Sequence, residues 1–245
     1  VGSVLKPGLS DAFMEMFDVV IQLGAIMAVV VLYFHKLNPF SPRKSERQKM
    51  LTWQMWIKVA IASVPAAIVG LLFNDYLDAI FYKPVPVAIM LIVYGVLFII
   101  IEDKHRGKQP KVTRISQLTL KMLLWIGVFQ MLALIPGTSR SGATIVGALL
   151  IGVSRETAAE FTFFLAIPVM FGASLLKLLK FGFAFSAAEF GFLVLGCIVS
   201  FGVSIFAIKF LMGYIKRHDF KVFGYYRIAL GVLILIVSIF QVIMG

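Results

Sequence analysis

The chain has 245 residues, of which 60% are hydrophobic and 14% charged, and a formal net charge of +11. A soluble domain carries about 25% charged residues, and the mean hydropathy here is +0.97. Too few polar side chains remain to cover a water-facing globule, and the same apolar excess excludes disorder. What remains is an all-α, polytopic membrane protein, expected to form one integral membrane domain over residues 1–245.

The chain starts Val1-Gly2-Ser3, without an initiator methionine. Eight stretches then carry no Asp, Glu, Lys or Arg: Val19–Phe34, Val59–Asn74, Pro84–Ile101, Met122–Ser139, Ser141–Ser154, Phe161–Leu176, Phe190–Ile208 and Ile228–Gly245. Several lengthen by a turn if Lys58, Lys177 or Lys209 snorkels. A full span needs about 17–25 residues, and Ser141–Ser154, 14 residues long, falls short.

Charge predicts the orientation. His35–Met50, Glu102–Lys121 and Gly213–Lys221 are rich in Lys and Arg, whereas Phe73–Lys83 and Lys180–Glu189 are not. The first three are therefore expected at the cytoplasmic face and the last two outside. The basic residues lie between apolar runs, which suits loops beside anionic lipid and speaks against nucleic acid.

Three apolar stretches lie between the basic segment ending at Lys121 and the outer turn near Lys180. Three full crossings satisfy that parity, and so does one full crossing preceded by a re-entrant hairpin, which the short Ser141–Ser154 stretch favours. In this reading, residues 117–154 enter from Met122 to Ile135, turn over Pro136 to Arg140, and return from Ser141 to Ser154, with Arg155-Glu156 back at the surface. About six transmembrane helices and one hairpin result. Irregular backbone at membrane depth persists only where protein or water covers it, so the turn should line a cavity.

Pro65 and Pro168 sit inside apolar runs and predict bent helices, although prolines are common in membrane helices anyway. Small residues such as Gly142, Ala143, Gly147 and Ala148 suit close helix packing, within a chain or between chains, and an oligomer stays open. The lone Cys197 excludes an intrachain disulfide, and the three histidines, His35, His105 and His218, lie in basic connecting segments without metal-ligand spacing.

Chemistry concentrates in Pro136-Gly137-Thr138-Ser139-Arg140-Ser141-Gly142-Ala143-Thr144. A charge at bilayer depth costs at least about 2.5–3.5 kcal/mol, so something must offset Arg140. Its guanidinium offers a planar fork of donors that matches phosphate oxygens, and the neighbouring hydroxyls add neutral donors. Gly137 and Gly142 permit close approach of backbone to a ligand. A helix starting at the turn would aim free amides at the same place, with Ser141 and Thr144 on one face. Together these describe an oxyanion cradle, most simply for a lipid phosphate or diphosphate. A plain ion pair of Arg140 with Asp18 or Glu160 is the structural alternative, but it would not need the hydroxyls. Gln22, Gln130 and Glu160 are possible cavity-lining residues. Glu160 reads equally as a cap or as a partner for Arg155, and Arg227 as an interfacial anchor near the basic end of its helix.

The run from Gln130 to Thr144 resembles the second signature of the bacterial undecaprenyl-diphosphate phosphatases, the bacitracin-resistance membrane phosphatase family. Phe17-Asp18-Val19-Val20-Ile21-Gln22-Leu23-Gly24-Ala25 is similar to that family's first full transmembrane helix. Gly152-Val153-Ser154-Arg155 and Glu160-Phe161 through Ala166-Ile167-Pro168 also match. The resemblance implies membrane helices with two re-entrant hairpins related by an inverted repeat. It implies hydrolysis of the C55 isoprenyl diphosphate in the bacterial cell membrane, and a divalent cation, magnesium or calcium. It places Ser139, Arg140 and Ser141 in catalysis, and Gly137, Thr138, Gly142 and Thr144 around the diphosphate. The family's first signature, a Glu-rich stretch followed by Pro-Val-Ser-Ser-Thr-Gly-His, is absent from this chain. The expectation is a chain without its natural N-terminus, holding the phosphate-binding half of a site and catalytically incomplete alone. Two rival readings are a secondary transporter or flippase of lipid phosphates, which would use the same arginine, and a purely structural subunit, which the hydroxyl cluster disfavours.

Overall fold

The computed structural model describes residues 10–81, 83–182 and 186–244. The expectation about the chain's start falls outside these residues, as does part of the turn at Lys180–Glu189. In chain order the helices are α1 (Asp11–Val20), α2 (Gln22–Leu32), α3 (Phe34–Leu37), α4 (Glu46–Phe81), α5 (Pro84–His105), α6 (Leu120–Leu132), α7 (Arg140–Leu150), α8 (Arg155–Phe181), α9 (Ala187–Ile215) and α10 (Lys221–Met244). Among the described residues, six segments are helical, long and apolar enough to cross a membrane: Ala12–Leu32, Glu46–Phe73, Pro84–His105, Arg155–Phe181, Ala187–Ile215 and Lys221–Gln241. Large apolar side chains such as Leu71, Phe206 and Phe240 stand exposed on them. Hydrocarbon, not water, is the solvent that tolerates so much apolar surface. The protein is a multi-pass membrane protein.

The chain divides into two compact units, residues 1–53 with 164–211 and residues 54–163 with 212–245. In the first, Ser10 caps α1 by accepting from the Phe13 amide at 3.2 Å. Phe13, Met16, Val20 and Leu193 form a buried apolar cluster. The first span is not one continuous helix, because α1 stops at Val20 and α2 resumes at Gln22. Ser174 Oγ donates to the Val19 carbonyl at 3.2 Å and Cys197 Sγ to the Val20 carbonyl at 3.8 Å, so acceptors at the break have partners. Lys177 pairs with Glu15. The basic loop after α3 buries Lys44, whose ammonium donates to the Asn38 carbonyl at 2.9 Å and to Thr52 Oγ1 at 2.8 Å. Burial pushes this ammonium below the usual lysine range.

In the second unit, α5 and α10 approach through paired glycines. A Cβ on Gly95 would stand 2.7 Å from the Gly224 carbonyl oxygen, and a Cβ on Gly224 equally close to that of Gly95. Glu102, near the end of α5, is 3% exposed. It accepts a forked pair from Arg155, with Nε at 2.9 and 3.0 Å and Nη2 closing the fork, and the Phe220 amide at 3.1 Å. Beside it Lys221 pairs with Asp103. One carboxylate thus ties the end of α5 to the starts of α8 and α10. This corrects the reading of Glu160 as the partner of Arg155.

The hairpin folds from this base. Gly152, with φ +84°, ends α7 in the left-handed region that favours glycine. Its carbonyl accepts from the Lys111 amide at 2.8 Å, and the Ser154 amide donates to the Val112 carbonyl at 2.8 Å. Val112 and Val153 form a parallel bridge. The segment between them leaves and returns to one point. Lys58, expected to snorkel, instead donates to the Ile115 and Ser116 carbonyls at 3.0 and 2.6 Å, fixing the entry turn to α4. At 1.5 Å per residue α6 and α7 are only ~20 and ~17 Å long, short of the ~30 Å hydrocarbon core.

The Glu102 clasp makes a test of the fold. Removing one member of a buried pair leaves an uncompensated charge, which costs about 3–5 kcal/mol. Arg155→Met is expected to lower stability by that amount in a denaturant titration in detergent, while Arg155→Met with Glu102→Leu recovers most of it. A double variant as unstable as the single one would show that Glu102 is not held by Arg155.

Candidate active site

The tip of the hairpin is built by failure of the α6 hydrogen-bond ladder before a proline. Pro136 lacks an amide, and the residue ahead of a proline is steered away from helical dihedrals. The chain tightens first, with the amides of Ala133, Leu134 and Ile135 donating to the carbonyls three residues earlier. So α6 begins two residues before the expected Met122 and ends three before Ile135, and the turn covers residues 133–139.

Gly137 adopts φ +89° and sits against α5, where a Cβ would lie 2.5 Å from the Val87 carbonyl oxygen. Val87 and Glu102 are about four turns apart on α5, ~22 Å, so the hairpin tip stands that far from its base. Ser139 follows with φ 61°, the single non-glycine residue with positive φ among those described. Such a conformation costs about 1–3 kcal/mol and persists only when its surroundings enforce it. Here the enforcement is a helix cap: Ser139 Oγ accepts from the Gly142 amide at 3.3 Å and lies 3.3 Å from Ser141 Oγ. The Ser139 carbonyl accepts from the Ala143 amide at 3.0 Å.

Arg140 and Ser141 open α7, and their amides have no acceptor among the described residues. The Arg140 side chain is half-buried with neither ion pair nor hydrogen bond there, so the predicted alternative of an ion-paired structural arginine is not formed. The Ser139 and Ser141 side chains are exposed at the same tip.

Arg227 on α10 is the residue that sequence reasoning misplaced. It is no interfacial anchor. Its Nη2 donates to the carbonyls of Gly137 and Thr138 at 2.8 and 2.9 Å, its guanidinium carbon lies 5.8 Å from the centre of the Tyr94 ring, and Nη1 would stand 3.3 Å from a Cβ on Gly142. A second cation therefore sits at the start of α7. The available signal was spacing. Gly224, Arg227 and Gly231 share a helix face, and both glycines mark close approach to α5.

The other predicted residues divide. Gly142 and Thr138 are at the tip, but Thr138 is wholly buried and its hydroxyl has no partner among the described residues. Thr144 is 1% exposed; Oγ1 donates to the carbonyls of Arg140 and Ser141 at 3.0 and 3.1 Å and accepts from Thr162 Oγ1 at 3.0 Å, so it joins α7 to α8. Gln130 is buried in α6 with neither amide atom partnered. Glu160 is half-buried on α8. Gln22 belongs to the other unit, where it donates to the Asp18 carbonyl at 3.3 Å. No cluster of metal-ligating side chains exists among the described residues. The donors at the tip are guanidiniums, hydroxyls and amides, which suit an anion, so these residues do not by themselves fit a divalent cation.

Uncovered amides at a helix start, next to an arginine without a counter-charge among the described residues, make an arrangement in a membrane protein that suits an oxyanion. The comparisons agree and narrow it. The model of the family described as "Bacitracin resistance protein BacA" matches residues 1–233, and the chain belongs to that family. It is 63% identical over 232 residues to a protein of Acetivibrio thermocellus named undecaprenyl-diphosphatase, covering 95% of this chain and 85% of that one. Proteins of the same name from Enterococcus faecalis and Desulfitobacterium hafniense are 59% and 56% identical over 238 and 246 residues. Those alignments cover 96% and 100% of this chain and 86% and 88% of the relatives.

Two substitutions separate strain from capping at the turn. Gly137→Ala forces a Cβ into the Val87 carbonyl at positive φ and is expected to cost about 1–3 kcal/mol in a denaturant titration. Ser139→Gly relieves the dihedral and loses the cap, and is expected within about 1 kcal/mol of the parent. Equal losses would mean that the turn is not limited by backbone strain.

Proposed function

We infer that this chain hydrolyses undecaprenyl diphosphate to undecaprenyl phosphate and inorganic phosphate, recycling the carrier lipid of cell-wall synthesis and so conferring bacitracin resistance. The identity to undecaprenyl-diphosphatases over almost the whole chain supports the activity. The geometry supports where it happens. Water supplies the oxygen that bonds to the terminal phosphorus, the bridging P–O bond breaks, and the lipid monophosphate leaves. Phosphoryl transfer of this kind asks of the protein mainly positioning and charge stabilisation. Arg140 clamps the diphosphate and takes up charge on the transferring group. The amides of Arg140 and Ser141 and the hydroxyls of Ser139 and Ser141 orient it. Arg227 holds the turn from behind. Gly137, Thr138 and Gly142 shape the cradle, and Thr144 braces its helix.

The observation that carries this reading is Arg140, a half-buried arginine at the start of a helix with no carboxylate paired to it among the described residues. The tip, ~22 Å from the basic base along α5, lies beyond the midplane of a ~30 Å core. The site then faces the outer leaflet of the bacterial inner membrane, where the isoprenyl diphosphate head is found. A divalent cation, if the reaction uses one, is not held by the described residues of this tip.

Purified full product of the encoding gene is expected to release phosphate from undecaprenyl or farnesyl diphosphate in detergent. Arg140→Ala should lower the rate about 100-fold or more, the scale of losing a preorganised electrostatic contact, with an unchanged unfolding midpoint. Full activity of Arg140→Ala would remove this residue from the mechanism. Movement of lipid phosphate across a liposome without phosphate release would identify a transporter instead.

A further inference from the structure

At the base of the hairpin, away from the tip, lies a second cavity. Its volume is about 600 Å³, and it is lined where α5 ends, where α7 meets α8 and where α9 ends. Its floor is apolar, built from Ile101, Leu149 and Ile215, all buried. Its rim carries Lys108, Lys111 and Lys216. None of these three ammonium groups has a hydrogen bond or ion pair among the described residues. The acids nearby do not balance them. Glu102 is taken up by Arg155 and the Phe220 amide, which leaves Glu156 as the one uncompensated carboxylate on the lining. Lys111 lies across Gly152, where a Cβ would stand 3.3 Å from its side-chain carbons. At Gly152 the positive φ that ends α7 therefore also leaves room for a rim lysine.

We propose that this cavity binds the phosphate group of an anionic phospholipid, held by Lys108, Lys111 and Lys216, with the proximal acyl chain over the apolar floor. The net positive rim selects an anion, and the volume and apolar floor exceed what a free phosphate would use. Charge distribution assigns this face to the cytoplasm, where a basic recess at the headgroup level meets anionic lipid. Binding there braces the helix whose other end carries Arg140. The site is separate from the hydrolytic tip and needs none of its chemistry.

The test reads lipid retention, not activity. The parent protein, reconstituted in mixed phosphatidylcholine and phosphatidylglycerol nanodiscs and released for native mass spectrometry, is expected to retain phosphatidylglycerol selectively. Each lysine is worth about fivefold in affinity, so Lys108→Gln/Lys111→Gln/Lys216→Gln should abolish the retention. Its unfolding midpoint in phosphatidylcholine should match the parent, because these ammonium groups have no hydrogen bond or ion pair to lose among the described residues and glutamine keeps most of the aliphatic stem. The variant Arg43→Gln/Arg47→Gln/Lys104→Gln removes equal charge from basic segments elsewhere and should keep the lipid. Equal retention by parent and lysine variant, or equal loss in the control, would overturn the proposal. If inorganic phosphate stabilises the parent but not the lysine variant, with no preference for phosphatidylglycerol, phosphate recognition stands and the lipid source is overturned.

Discussion

A turn between two short helices leaves backbone groups that neither helix pairs, and this constraint organises the site. Every carbonyl and amide there must find a partner in the protein or be held for a ligand. At the tip of the hairpin the two kinds of group are treated differently. The carbonyls of Gly137 and Thr138 are covered by Arg227, and that of Ser139 by the Ala143 amide. The amides of Arg140 and Ser141 are left uncovered. Acceptors are neutralised and donors are spared, so the local field is positive before any arginine is counted. Arg140 and the half-charge at the start of α7 then add in the same direction. Such a place suits an anion.

Holding this turn costs conformational energy, and the compensation lies elsewhere in the unit. Ser139 sits at φ 61°, and Gly137 is pressed against Val87. Two rigid features oppose relaxation. The α5–α10 pair is fixed by glycine contacts, which place Tyr94 and Arg227 at one height. The base is closed by the Val112–Val153 bridge and by Glu102, which collects Arg155 and the Phe220 amide. Short helices anchored at both ends cannot slide independently. Preorganisation of this kind is what charge stabilisation needs, since donors that must first reorient lose most of their effect.

Much of this was legible in the sequence because membrane proteins write it in composition. The apolar runs located the six long apolar helices, and the short stretch after Arg140 marked α7 as too short to be one of them. Arg140 was conspicuous because a charge inside an apolar run demands explanation. What stayed hidden depended on partners distant in sequence. Arg227 lies close to basic residues, so its charge carried no surprise, and only the α5–α10 contact shows it pointing at Gly137. Thr144 and Ser141 are a turn apart, yet burial turns the threonine hydroxyl to Thr162 on α8. The break at Ile21 has neither glycine nor proline to announce it; Ser174 and Cys197 supply its partners from far along the chain. Lys44 was counted with the basic loop and Lys58 as a snorkelling lysine, but both donate to protein carbonyls. Composition reports the solvent a segment meets; it does not report which carbonyl a long side chain reaches.

The two ends of α7 differ electrostatically for a reason built into the helix. Its start concentrates the positive end of the dipole at Arg140. Its end, at Leu150, presents the negative half-charge at the base cavity, where an anion would be repelled if nothing opposed it. Two things do oppose it. The start of α8 follows within a few residues, at Arg155, and brings a positive half-charge that largely cancels the end of α7. The field left in the cavity is then set by side chains, and Lys108, Lys111 and Lys216 outnumber Glu156. Tip and base thus both favour anions by different means. At the tip, backbone donors and strain hold a fixed geometry suited to chemistry. At the base, flexible ammonium groups on an apolar floor give attraction without geometric demand, which suits a mobile headgroup and not a reacting phosphate.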